Sequence, residues 1–332
     1  MNLQDKHLLY KIVRARDRRY DGRFYCGVHT TGVYCRPICP ARPKIENITF
    51  YRSATESQLL GFLRNHQVSG VESMNGERYR RCFAIGTAVG PLDLSFDSKK
   101  TQLIVQISIS DSTYLRGAIE RVRDLFDTRT NPHAHLTDIT QSNPVSACYR
   151  RELGIRVPGA WDSFETAVCI ILGQLVSVEQ AREKVKKLVQ RFGTKIQNPI
   201  FEGCTHLFPT PETLMTADLK EIGLTQVREH ALRELSRLVY DKELDLSRSS
   251  DLAKTRAQLI GIPGVGPWTV EMIAMRCLGD TNAFPKSDLI IKRALEYHGS
   301  QKGDWSPWNA YITIALWKRH ATTLSQKNRR PK

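Results

Sequence analysis

The apolar positions change period along the chain. Leu92, Leu94 and Phe96 alternate with polar neighbours, and Leu103, Val105, Ile107 and Ile109 repeat the alternation. A period of two places one side-chain face on a core, so both stretches predict β-strands. Leu115, Ile119, Val122, Leu125 and Phe126 then recur at helical spacing, which predicts an amphipathic helix after the strands. Beyond about residue 136 the pattern is helical, punctuated by Pro and Gly. Phe164, Ala167, Val168, Ile171 and Leu172 share one helix face, and Gly173 allows that helix to stop. Ser177 and Gln180 form a Ser-x-x-Gln capping box for the next helix. Gln174, Leu175 and Val176 are left in the break.

These textures divide the 332 residues into three parts, within the two or three domains that a chain of this length accommodates. Residues 1–52 are rich in Arg, Tyr, Cys and turn residues, which predicts a small irregular module with a weak apolar core. Residues 53–135 predict a small antiparallel sheet backed by helices. Residues 136–332 predict an all-helical domain. The fold class is therefore mainly α with an α/β domain. No run approaches the ~18 consecutive apolar residues of a membrane span. The amino terminus lacks the apolar core of a signal peptide, which predicts a cytoplasmic protein with no membrane partner.

Charge narrows the partner. Forty-nine Lys and Arg against 34 Asp and Glu leave a net charge of +15. Such a field attracts polyanions, of which DNA is the densest common one, although surface charge alone also serves solubility. Eight cysteines, at 26, 35, 39, 82, 148, 169, 204 and 277, are too thinly spread for a secreted disulfide scaffold. Only Cys35 and Cys39 have a ligand-like spacing.

The strongest local signal runs from Leu259 to Thr269, Leu-Ile-Gly-Ile-Pro-Gly-Val-Gly-Pro-Trp-Thr. It reads as a helix end, a tight turn through Gly264, Val265 and Gly266, and a new helix beginning near Pro267. Glycines let a backbone approach a phosphate closely, and the new helix offers it free N–H groups and a positive dipole end. A plain glycine turn between two helices has the same sequence. Asp288, twenty residues past Trp268, precedes an apolar helical stretch, where an aspartate alone reads as a helix cap.

Together, hairpin and aspartate resemble the helix-hairpin-helix glycosylase superfamily, and within it DNA-3-methyladenine glycosylase II. The likeness runs from about Leu59 to the carboxyl end. It rests on Leu60-Gly61-Phe62-Leu63, Ser69-Gly70-Val71-Glu72, Phe126-Asp127 with Asn131-Pro132, Ile171 to Val178, Phe208-Pro209-Thr210-Pro211, the hairpin, and Asp288 with Ile291-Lys292. The resemblance implies a small α/β domain resembling half of a TATA-binding protein, followed by two helical subdomains with the active-site cleft between them. It implies Asp288 as the catalytic carboxylate and Leu175 as the wedge that enters DNA where the damaged nucleotide is flipped out. Phe62, Trp268 and Trp317 fall on aromatic positions around the base pocket. Met272 and Leu289 stand where the family can present tyrosines, and Ser287 where an acidic neighbour of the aspartate can occur. The backbone carbonyls of Ile260, Ile262 and Val265 match those that hold a monovalent cation in the hairpin; no other cofactor is implied for catalysis. Trp268 stands where strand-nicking relatives carry a lysine. The implied activity is release of alkylated bases such as 3-methyladenine and 7-methylguanine from double-stranded DNA, by a nucleoid-associated monomer, without strand cleavage.

Residues 20–52 resemble the zinc-binding domain of Ada-type methyl-phosphotriester repair proteins. The match comprises Tyr20-Asp21-Gly22-Arg23-Phe24, Thr30 to Lys44 and Glu46 to Tyr51. It implies Cys35 as zinc ligand and methyl acceptor and Cys39 as a second ligand. Structural zinc takes four ligands, and the family's second cysteine pair has no counterpart at Asn65, His66 or Val68. The segment is expected to be an inactive or poorly folded remnant; the alternative is a zinc site completed by Cys26, His29 or His66. A non-enzymatic DNA-binding or alkylation-sensing protein is accordingly the second functional reading.

Overall fold

The computed structural model describes residues 5–21, 24–28, 33–40, 42–51, 54–97, 102–130, 155–297 and 305–327. Asn131-Pro132, Thr30 to Gly32, His29 and Cys148, cited from the sequence, lie outside them.

The amino-terminal part opens with helix α1 (Lys6–Ala15), capped by Asp5, whose carboxylate accepts the Leu8 N–H at 2.9 Å. Strands β1 (Tyr25–Val28), β2 (Val33–Cys35) and β3 (Ile48–Tyr51) form an antiparallel sheet in the order β2-β1-β3. Leu9, Ile12 and Val13, at helical spacing, bury against Phe24, Cys26, Val28, Ile48 and Phe50. The weak core expected of this segment is thus a closed one, because α1 supplies the apolar face that the strands lack.

Helix α2 (Ala54–Asn65) follows and packs on β1, β2 and β3. Its Leu59, Leu60 and Leu63 are buried in a second core, that of the α/β part. There β4 (Glu72–Asn75), β5 (Arg78–Ile85), β6 (Ala88–Asp97) and β7 (Gln102–Ile107) form an antiparallel meander. The alternation seen in the sequence sets its register, with Leu92 opposite Ile107 and Leu94 opposite Val105. Helix α3 (Leu115–Leu125) closes this layer, but with Ala118, Val122 and Leu125 inward. Leu115 and Ile119, expected on that face, are exposed. The small Ala118 allows the close approach that the bulkier pair cannot make.

The helical part comprises α4 (Ser163–Leu172), α5 (Val178–Phe192), α6 (Pro211–Thr216), α7 (Gln226–Tyr240), α8 (Leu252–Ile260), α9 (Pro267–Arg276), α10 (Leu289–Tyr297) and α11 (Asn309–Lys327). A two-stranded ribbon, β8 (Thr194–Lys195) with β9 (His206–Leu207), lies beside α5. Helix α4 carries the predicted apolar face, and the Ser177 capping box on α5 has both of its hydrogen bonds. Helix α11 packs on α10 and on β2.

One buried ionic cluster joins the α/β and helical parts. Arg81 of β5 donates to Glu72 at 3.1 Å and to Glu165 of α4 at 2.8 Å. Glu72 also accepts from the Tyr79 hydroxyl and from the Val68 N–H. Its charge is well compensated, whereas Glu165 shares a single guanidinium with it. Burial accordingly pushes the Glu165 carboxyl up to about 7.

Candidate active site

The hairpin is built by α8, the turn from Gly261 to Gly266, and α9. Val265 N–H closes the turn on Ile262 C=O at 2.9 Å, and Pro267 opens α9. Gly264 has φ +91°, and a Cβ there would meet Val227 Cγ1 at 2.7 Å. Left-handed backbone and close packing against α7 both require glycine.

The break between α4 and α5 lies against this turn. Gln174 Nε2 donates to the Gly264 carbonyl at 3.0 Å and to Thr269 Oγ1 at 2.8 Å, while Arg228 donates to the Gln174 carbonyl at 2.7 Å. Leu175 follows with φ +54° and a fully exposed side chain. A leucine in left-handed backbone with no apolar neighbour to bury against is doubly unfavourable, and such strain concentrates at functional sites.

Helix α9 carries the hairpin's orientation to the aspartate. Trp268 Nε1, in its first turn, donates to Asp288 Oδ2 at 2.9 Å. Trp317 Nε1 of α11 donates to Oδ1 at 3.2 Å. Oδ1 also accepts the N–H groups of Ile290 and Ile291 at 2.9 and 3.0 Å. Asp288 therefore caps α10 as an ordinary aspartate would, and in addition is clamped by two indoles. The loop that bears it is held from α9, where Glu271 accepts the Phe284 N–H at 2.8 Å.

Asp288 borders a cavity of about 460 Å³ shared with Phe62, Trp268, Met272 and Trp317. These residues come from α2, α9 and α11 and from the loop before α10, so the cavity lies between the α/β and helical parts. Leu289 does not line it; that side chain is exposed, and Ile290 borders the cavity instead. Several lining residues are not read as pocket residues from the sequence: Arg182, Arg276 and Lys318, and His66, which the sequence offers only as a zinc ligand. The Arg276 guanidinium lies 4.8 Å from the Phe62 ring centre and donates to the carbonyls of Pro158 and Gly159. A helical arginine beside a phenylalanine 214 positions away has no local sequence signature.

At the amino-terminal sheet, Cys26 and Cys35 are opposite one another in the β1–β2 register. Burial, with Cys39 nearby, pushes the Cys26 thiol up to about 12. The Cys35 side chain lies outside the described residues. His66, considered as a completing ligand, faces the cavity instead. Among the described residues, no group of three or more His, Cys, Asp or Glu could hold a metal ion. No helix among them is long and apolar enough to cross a membrane.

Comparison with known proteins agrees with this geometry. The fold matches the 3-methyladenine DNA-glycosylase of Archaeoglobus fulgidus, with a TM-score of 0.66 at 18% identity, over 79% of this chain and 93% of that one. The two chains thus share a fold. Residues 50–162 match the AlkA N-terminal domain and residues 9–66 the metal binding domain of Ada. It is 32% identical over 273 residues to the probable bifunctional transcriptional activator/DNA repair enzyme AlkA of Mycobacterium tuberculosis strain H37Rv. That match takes in 78% of this chain and 53% of the relative, so the chain spans about half the length of this curated relative. DNA-3-methyladenine glycosylase 2 of Escherichia coli K12 is 28% identical over 79% of this chain and 92% of its own length. The two family matches overlap at residues 50–66, the stretch that contains α2.

Proposed function

We propose that this protein hydrolyses the N-glycosidic bond of alkylated bases such as 3-methyladenine and 7-methylguanine in duplex DNA, without cutting the strand. The observation that carries this reading is the Asp288 carboxylate, clamped by two indole N–H groups at the edge of an aromatic cavity whose walls begin at the hairpin. In this reading the turn at Gly264, Val265 and Gly266 grips a phosphate through its backbone, indifferent to sequence. Leu175 enters the duplex where the damaged nucleotide leaves, offsetting part of the few kcal/mol that extrusion costs. The base then stacks in the cavity among Trp268, Met272 and Trp317.

Alkylation at a purine ring nitrogen places positive charge on the base and makes it a good leaving group. As the glycosidic bond lengthens, the sugar gains oxocarbenium character. A carboxylate near that cation lowers the barrier electrostatically, in a site where water is largely excluded. Oδ1 is engaged by three N–H donors and Oδ2 by one, which leaves Oδ2 the oxygen better placed to face the sugar and orient the attacking water. Lysine is absent from position 268, so no amine there forms the Schiff base that strand cleavage requires.

The carbonyls of Ile260, Ile262 and Val265 are hard oxygen donors clustered on the closed turn, which suits a monovalent cation in kind. Such an ion would add positive charge where the turn meets phosphate. We place the protein on DNA as a monomer associated with the nucleoid.

The experiment is base release from alkylated duplex DNA by the wild type and by Asp288→Asn. Release by the wild type and none by the variant is the expected result; equal release by both defeats the assignment.

A second reading, favoured by the match of residues 9–66 to the metal binding domain of Ada, is alkylation sensing with Cys35 as methyl acceptor and Cys35 and Cys39 on zinc. Stoichiometric zinc and methyl uptake at Cys35 would support it. A metal-free protein that turns over substrate would exclude it as the main activity.

A further inference from the structure

Phe62 is the aromatic residue that the sequence places in the base pocket, yet the structure leaves its ring little free surface. The His66 ring stacks on it at 4.0 Å between centroids and 17° between planes. The Arg276 guanidinium carbon lies over the same ring at 4.8 Å. His66 and Arg276 thus both crowd this one ring. Phe62 is half-buried beneath them, whereas His66 is exposed and lines the cavity. The outermost ring on this wall is therefore an imidazole.

Its position is fixed. His66 is the first residue past α2, and its backbone N–H donates to the Phe62 carbonyl at 3.0 Å. Nδ1 lies 2.9 Å from that same carbonyl, which selects the tautomer with the proton on Nδ1 and leaves Nε2 as the acceptor. The charged groups that bear on it are Arg276 from α9 and Arg182 from α5. Enclosure in the cleft, with those two cations, pushes the imidazole down to about 4. Both neighbouring cations favour the neutral ring, and a neutral π face attracts a cation where an imidazolium would repel it.

We infer that the outer face of His66, rather than Phe62, is the stacking surface that α2 offers to an everted base, and that His66 thereby sets how the pocket ranks cationic against neutral bases. This deepens the glycosylase reading and rests on it. Phe62 becomes a positioning residue that holds the imidazole flat, with the Arg276 guanidinium 4.8 Å from its ring centre.

The test measures affinity, so that it does not depend on turnover. Full-length protein is titrated with a duplex carrying 2′-fluoro-stabilised 7-methylguanine and with a matched duplex carrying hypoxanthine, a neutral base. His66→Ala is expected to weaken binding to the methylguanine duplex about tenfold, and His66→Phe to restore it to within about twofold. His66→Lys, which keeps a long side chain but carries charge, should weaken methylguanine binding about tenfold and hypoxanthine binding less than about threefold. Thermal melts of all three variants check that the fold is kept. Unchanged affinity in His66→Ala, equal losses on both duplexes in His66→Lys, or a wild type that does not prefer either duplex over undamaged DNA each overturn the inference. Loss of the glycosylase reading itself registers separately, as base release undiminished in Asp288→Asn.

Discussion

The side-chain amide of Gln174 donates to the backbone carbonyl of Gly264 at 3.0 Å, tying the loop that presents Leu175 to the turn of the hairpin. Two features separated by 90 positions in sequence are thus held at a fixed spacing, with Thr269 as second acceptor at 2.8 Å. Gln174→Ala removes both bonds and leaves the buried Thr269 hydroxyl without that donor. The expected cost is about 1–2 kcal/mol in stability, seen as a fall of a few degrees in Tm. Base release should drop about tenfold, because phosphate grip and wedge lose register. A variant with lowered Tm and unaltered turnover would show that the spacing is not used.

Leu175 separates stability from activity. Its side chain packs on nothing, so Leu175→Ala should leave Tm within about 1 °C. Leu175→Gly relieves the left-handed backbone and should stabilise by up to about 1 kcal/mol. Both should bind damaged duplex about tenfold more weakly. Melting curves beside affinity titrations give the answer, and a destabilised glycine variant would contradict the strain argument.

For Asp288→Asn the capping geometry predicts a clean result. Asparagine caps a helix about as well as aspartate does, so α10 should keep its start and Tm should move little. Base release should fall by about 10²–10³-fold or more, while affinity for DNA persists. Single-turnover kinetics paired with a binding assay distinguish this from general unfolding.

Gly264→Ala should destabilise by about 2–3 kcal/mol. The added methyl must enter left-handed backbone at φ +91° and lies within 2.7 Å of Val227 Cγ1. Urea denaturation measures the change, and a shift smaller than about 1 kcal/mol would mean that the turn relaxes freely.

The Glu165 carboxyl, raised to about 7 from an ordinary value near 4.5, predicts a pH dependence of stability. The folded state holds this proton more tightly than the unfolded state, so the group's contribution is fully present below about pH 4.5. It declines as pH rises and is gone above about pH 7, a change of about 3 kcal/mol. Glu165→Gln keeps an acceptor for Arg81 and removes the titration. Wild type and variant should therefore differ in the slope of unfolding free energy between pH 5 and 8, the variant being flatter. Parallel slopes would place the titration elsewhere.

What the chain disclosed in advance was what depends on neighbours in sequence. The alternation from Leu92 to Ile109, the apolar face of α4, the Ser177 capping box and the start of α9 at Pro267 are all local, and all appear as read. The inward face of α3 was misjudged because periodicity ranks side chains by size, while the close approach favours Ala118. Helix α1 was passed over although Leu9, Ile12 and Val13 carry its signal. Within the site, Asp288, Trp268, Met272, Trp317 and Phe62 meet at the cavity, but Leu289 does not, since a helix turns successive residues by about 100° and only Ile290 faces inward. His66 as a pocket residue, Arg276 and the Arg81 cluster were invisible because their partners are dozens of residues away and share no pattern with them. A carboxylate that is both cap and candidate catalyst is equally silent, since its second pair of bonds comes from two tryptophans on other helices.

Helix α2 has one side against the small sheet of the Ada-type module and its leucines in the core of the α/β part, while its Phe62 is a wall of the cavity. Tyr25 of β1 adds to the same core, and α11, which bears Trp317, leans on β2. The module is therefore built in as a foundation for two cavity walls. Removing the first 52 residues would expose apolar surface on α2 and slacken the very segments that hold Phe62 and Trp317 in place.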